Sequence, residues 1–112
     1  MKLGVVGSRG IIGVTLDEYI TDDVAEIVTG GAVGVDTCAA EYAERMGLRL
    51  TVFLPEYKRY GRAAPIVRNK KIVDYADKII AIWNGKSRGT RSVINYAKKA
   101  EKPCVVVIRK NS

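Results

Sequence analysis

Three stretches of this 112-residue chain combine glycine with hydroxyl, amide or cationic side chains in the way an anion site requires. The first is Gly7-Ser8-Arg9-Gly10, directly after an apolar run. Glycine permits a tight exit, Ser8 can donate to an oxygen, and Arg9 offers a forked cation suited to phosphate. The second is Thr29-Gly30-Gly31-Ala32-Val33-Gly34-Val35-Asp36. Its three glycines let backbone amides approach a ligand closely, and the helix it opens adds partial positive charge. The spacing is not the GxGxxG dinucleotide fingerprint, and it follows the second apolar run rather than the first. Asp36 stands where it can cap that helix or hold a ribose hydroxyl.

The third stretch, Trp83-Asn84-Gly85-Lys86-Ser87-Arg88-Gly89-Thr90, again leads into a helical pattern. Two glycines, two hydroxyls, a lysine and an arginine converge there on a helix N-terminus, a setting for phosphate or carboxylate. The GxxxxGK[ST] order is absent, so ATP hydrolysis of the P-loop type is not implied. Ser87 or Thr90 can equally cap the helix. Arg68 and Asn69 follow a stretch holding Tyr57, Tyr60, Gly61 and Arg62, and either tyrosine can stack on a base.

Composition narrows the chemistry. With no histidine, a His-dependent triad is excluded and a structural zinc site is disfavoured. Cys38 and Cys104 lack CxxC spacing and read as reduced, buried thiols. No metal or cofactor is expected, and the catalytic residues, if any, are not legible. The first residues hold too short an apolar core for a signal peptide, and no run approaches the ~20 residues that span a bilayer. A cytoplasmic protein without membrane contact is expected. Residues 1–57 hold four basic and nine acidic side chains, whereas residues 58–112 hold fifteen basic and three acidic ones. A basic half of this kind attracts nucleic acid or focuses a small anion into a cleft.

These loops need a scaffold. Apolar, β-branched runs at 2–6, 25–29, 50–54, 78–83 and 104–108 read as five strands. They lack polar alternation, so they are expected to be covered on both faces, as in a parallel sheet. Val35–Met46 carries an apolar stripe at spacings of three and four, with Gly47 as its C-terminal cap. Pro65 can open a helix through Asp74, and Arg88–Ala100 forms another. Leu16–Asp23 reads as a helix of about two turns, and Pro55–Ala64 as a long irregular loop. The resulting β-α-β-α-β-α-β-α-β order predicts one α/β domain over 1–112, a Rossmann-like three-layer α/β/α sandwich with a five-stranded, mainly parallel sheet. Ligands of such sheets bind beyond the strands' carboxyl ends, where strand order reverses.

Taken in order, Gly7-Ser8-Arg9, Gly30-Gly31-Ala32-Val33-Gly34-Val35-Asp36, Tyr60-Gly61-Arg62-Ala63-Ala64 with Arg68-Asn69, and Asn84 through Thr90 resemble the SLOG superfamily. The resemblance is to its small YspA/cpYpsA-related branch and covers nearly the whole chain. It implies a Rossmann-like fold and a site for nucleotides or their derivatives. The superfamily includes the DNA-processing protein DprA and cytokinin-activating phosphoribohydrolases. The latter carry a PGGxGTxxE motif whose glutamate supports N-glycosidic cleavage. Here the corresponding stretch, Gly85 to Val93, has no carboxylate after it until Glu101, so that chemistry is not implied.

The expected function is therefore binding of a small phosphorylated ligand. Arg9, Arg68, Lys86 and Arg88 would supply charge, amides at 30–34 and 85–90 would position the anion, and Ser8, Asp36, Asn69, Ser87 and Thr90 would complete the site. Hydrolysis of a nucleotide or nucleotide sugar through Asp36, with Glu41 the other nearby acid, is the first alternative. DprA-like nucleic-acid binding is the second. A homo-oligomer is expected.

Overall fold

The apolar runs become five strands: β1 (Lys2–Gly7), β2 (Glu26–Thr29), β3 (Arg49–Val52), β4 (Lys78–Trp83) and β5 (Cys104–Ile108). In the computed structural model, which describes residues 1–110, every neighbouring pair is parallel and the order is β3-β2-β1-β4-β5. Four helices accompany them: α1 (Val35–Met46), α2 (Tyr57–Tyr60), α3 (Ala64–Tyr75) and α4 (Arg88–Lys99). Right-handed crossovers put connections running left from β1 on one face and those running right on the other. The two core clusters divide in that way. Leu3, Val5, Ile27, Ile80 and Ile82 pack under α1, while Val6, Val28, Ile79 and Ala81 pack under α3 and α4. The architecture is a doubly wound, three-layer α/β sandwich.

Local signals set most boundaries. Gly47 ends α1 in the left-handed region at φ 68°, its amide returning to the last turn. Pro65 lies in the first turn of α3, where its missing N–H costs nothing. Ser87 caps α4, its Oγ accepting from Thr90 N at 3.4 Å.

Three expectations are corrected. Leu16–Asp23 is not a helix; the chain passes from β1 to β2 through turns, so the helix is missing from the first crossover. Ile11, Val14, Leu16, Ile20 and Val24 fill that part of the face instead, and Met1 pins the far end through its amine to Asp23 O at 2.6 Å. Leu16, Ile20 and Val24 do stand four residues apart, but the backbone closes only isolated turns, Tyr19 N to Leu16 O and Val24 N to Thr21 O, so the anchors hold a wrapped segment, not a cylinder. Pro55–Ala64, expected to be irregular, holds α2 and a 3₁₀ turn at Gly61–Ala63. Finally, only the inner strands are covered on both faces. Leu50, Val52, Val105, Val106 and Ile108 are exposed, because β3 and β5 are edges with a partial helix roof. The same geometry leaves Cys104 half-buried, as is Cys38, rather than fully interior; both are free thiols.

At the amino end of the sheet, Glu26 is buried and receives both Tyr75 Oη and Thr51 Oγ1 at 2.7 Å on one oxygen. These hydrogen bonds, the Tyr75 one foremost, hold its carboxyl below the ordinary 4.5. A depressed carboxyl stabilises the fold fully above the unfolded value and loses that contribution as pH falls below about 4.5 toward the folded value. Glu26→Gln is therefore expected to lower Tm at neutral pH yet flatten its fall between pH 5 and pH 2, checked by thermal melts across that range. Parallel acid limbs in the two proteins would contradict the assignment.

Candidate functional site

The chain leaves β1 toward β2 and leaves β4 toward β5, so their adjacent carboxyl ends form the switch point. Ser8 staples it. Its N–H donates to Ile82 O at 3.0 Å, and its buried Oγ accepts from Asn84 N at 3.2 Å, leaving the hydroxyl proton to donate. A cleft of about 390 Å³ opens above this staple. Its apolar floor is Val6, Ile72 and Val93; its walls include Gly7, Arg9, Asp36, Arg68, Asn69, Ser87, Gly89 and Thr90. The three glycine-bearing loops and α3 thus meet at one rim.

Ten of the residues expected from sequence line the cleft: Gly7, Ser8, Arg9, Ala32, Asp36, Arg68, Asn69, Ser87, Gly89 and Thr90. Gly30, Gly31, Gly34, Gly85, Lys86 and Arg88 do not line it, and three of these glycines act by shaping it. A Cβ at Gly30 would lie 2.6 Å from Arg68 Nη1, so the bare backbone is the bed of that guanidinium. A Cβ at Gly34 would lie 2.7 Å from Arg9 O, and Gly34 sits at φ 86°. Gly31 admits Leu54, whose Cδ2 would be 2.7 Å from an added Cβ. Lys86 and Arg88 are exposed outside the walls. Sequence reasoning put Gly10 and Asn84 in the loop motifs without giving them a part in the site, read Pro65 only as a helix opener, and missed the floor. For Asn84 the signal was present: an Asn-Gly pair after a strand, which favours an Asx turn.

Several donors are already engaged. Asp36 Oδ2 accepts from Gly30 N and Ala32 N at 3.1 Å each, so the carboxylate itself occupies the nest that an external anion was expected to fill. Asn84 Oδ1 likewise takes Lys86 N and Ser87 N, both at 2.8 Å. Among the described residues, Arg88 N and Gly89 N at the start of α4 keep no protein acceptor.

The electrostatics favour an added anion. Arg68 is half-buried, donates from Nη1 to Gly30 O at 2.6 Å and from Nε to Asn69 Oδ1 at 2.8 Å. Burial lowers its pKa, Asp36 and Tyr57 oppose that, and Arg9 adds to it. Two guanidiniums thus line a cleft whose lining holds one carboxylate, itself already bonded to two amides. The basic half of the chain contributes little else, since Arg68 is its sole cation in the lining. Glu41 lies away from the cleft, in a depression with Leu16 and Arg45.

Asp36 is 6% exposed, and burial raises its carboxyl above the ordinary 3.8 against the pull of the two amides and Arg68. Thr29 Oγ1, buried beside it, has no hydrogen-bond partner among the described residues. A raised folded value means the native state holds the proton more tightly, so stability declines as pH climbs from 3.8 through the folded value. Asp36→Asn keeps an acceptor for both amides and removes the charge. It is expected to be at least as stable as wild type at pH 7, to lack that decline, and to bind phosphate severalfold tighter. Asp36→Ala orphans two amides and is expected to cost about 2 kcal/mol. Urea titrations at pH 4 and pH 7, with phosphate binding by calorimetry, separate the two variants.

Fold and cleft together define a doubly wound, all-parallel α/β protein of Rossmann-like architecture. Among the described residues no helix is long and apolar enough to cross a membrane, and no three His, Cys, Asp or Glu side chains gather to hold a metal ion. No protein-family model and no solved structure matches the chain. It is similar to the uncharacterized SPbeta prophage-derived protein YoqJ of Bacillus subtilis (strain 168), with 44% identity over 32 residues. That stretch is 29% of this chain and 19% of the relative, so the likeness spans under a fifth of the relative's length.

Proposed function

We propose that this protein binds a nucleotide or nucleotide-derived phosphorylated ligand in the switch-point cleft, as a member of the SLOG superfamily. The observation that carries this reading is that Arg9 and Arg68 both line a cleft with a single carboxylate in its lining. An anion there meets both guanidiniums, and the free amide of Gly89 adds a donor at the positive end of α4. The volume suits a ligand of nucleotide size, and the apolar floor suits a sugar or base. The order of the four loop motifs supports the superfamily reading.

Isothermal titration of the protein with nucleoside 5′-monophosphates at low salt tests it. Binding that weakens with added salt and with competing inorganic phosphate is expected. No heat at millimolar ligand would remove the proposal. Asp36, the raised carboxyl of the cleft, favours a second reading as a nucleotide N-glycosidic hydrolase. Its Oδ2 is held by two amides, which is why binding is preferred. Chromatography after incubation with the same nucleotides decides between them: released base means hydrolysis.

A further inference from the structure

Six tyrosines are distributed over the chain, and five are engaged. Tyr19 packs on the core, and Tyr42 lies under Arg45. Tyr60 is flanked by Arg59 and Lys71, Tyr75 meets Phe53 and Lys2, and Tyr96 donates to Asp74. Tyr57 alone has no core packing and no ring, cation or carboxylate partner among the described residues, and it is 56% exposed. Its place is not arbitrary. The preceding residue, Glu56, is tied to Lys71 Nζ at 3.1 Å. Lys71 is one turn beyond Arg68 on α3, so the two share a helix face and Tyr57 is anchored beside the face that carries the cleft's arginine. Leu54, 64% exposed, precedes it by three residues and reaches Gly31, next to the bed of the guanidinium.

An exposed shelf of Tyr57 and Leu54, outside the cleft lining but anchored beside its half-buried arginine, fits a ligand that is anionic at one end and flat and apolar at the other. Resting on the phosphorylated-ligand reading above, we propose that Tyr57 is the platform on which the base of the bound nucleotide stacks, and so sets the preference for nucleotides over sugar phosphates. Every base has a π-face, so the platform selects for a base rather than among bases.

The test compares AMP with ribose 5-phosphate by calorimetry on wild type, Tyr57→Ala and Tyr57→Phe. Wild type is expected to bind AMP about tenfold more tightly than ribose 5-phosphate. Tyr57→Ala should abolish that difference and leave ribose 5-phosphate unchanged, whereas Tyr57→Phe should retain it. Equal affinities for the two ligands in wild type, or an equal loss of both in Tyr57→Ala, overturns the platform while the cleft reading stands. Failure of wild type to bind either ligand overturns both. Sedimentation of the same variants covers the other occupant of such a shelf: if Tyr57→Ala disrupts an oligomer and spares AMP affinity, the surface is a subunit contact and the proposal falls.

Discussion

Arg68→Ala is expected to weaken binding of a phosphorylated ligand by roughly 30- to 100-fold, about 2–3 kcal/mol, the range for a charge-assisted hydrogen bond in a partly desolvated site. The substitution removes more than one charge. Nη1 is bonded to Gly30 O and Nε to Asn69 Oδ1, so the loop after β2 loses its tie to α3. Asp36 loses the cation that helps hold it ionised. Arg68→Lys should recover little of the affinity, because one ammonium cannot reach the carbonyl, the amide oxygen and a ligand together. Arg9→Ala removes an exposed cation and is expected to have a smaller effect, one that fades with salt. Calorimetric titration with inorganic phosphate and a nucleoside monophosphate checks the series. An Arg68→Ala protein that is folded and binds as wild type does would place the ligand elsewhere.

The second large effect falls on stability. Gly34→Ala is expected to cost about 3 kcal/mol, or on the order of 10 °C in Tm for a chain of this size. Gly34 has φ 86° and ψ −122°, a region open to glycine and strained for any L side chain. Its added Cβ would meet Arg9 O at 2.7 Å and Ile11 O at 2.9 Å. Both are backbone atoms, so no rotamer change relieves the clash, and the loop carrying Arg9 must move. Ligand binding should fall with stability for that reason. Gly47→Ala is the control: φ is 68°, but nothing lies within 4 Å of the new methyl, so only the left-handed strain of about 1 kcal/mol is expected. Denaturant melts of both variants give the comparison, and equal losses would show that crowding at Gly34 is unimportant.

Where the sequence spoke through short-range physics, it was specific. The stripe from Val35 to Met46 closed by Gly47 marks α1 to the residue, and the runs at 78–83 and 104–108 mark β4 and β5. Helix period, glycine's left-handed conformation and β-branching act over a few residues, so they can be read without a partner. Leu16–Asp23 failed although Leu16, Tyr19 and Ile20 stand at helical spacing, because so short a stretch closes only single turns and packing on the sheet sets its path. Pro55–Ala64 failed because a single turn such as α2 has too few residues to show a pattern, and its contacts with α3 come from folding.

The site divides along the same line. That glycine loops, Arg9 and Arg68 belong to a parallel α/β scaffold follows from the order of residue types along the chain. Which donors remain free does not. Asp36 turning back on Gly30 and Ala32, Asn84 on Lys86 and Ser87, and Ser8 joining β1 to β4 were settled when the loops were brought within hydrogen-bonding distance. Lys86 and Arg88 fell outside the walls at the same step, while Arg68, dozens of residues from Gly30, came to rest on its carbonyl. Residue type determines what a group can bind; only the crossing of distant segments decides whether the protein has already bound it.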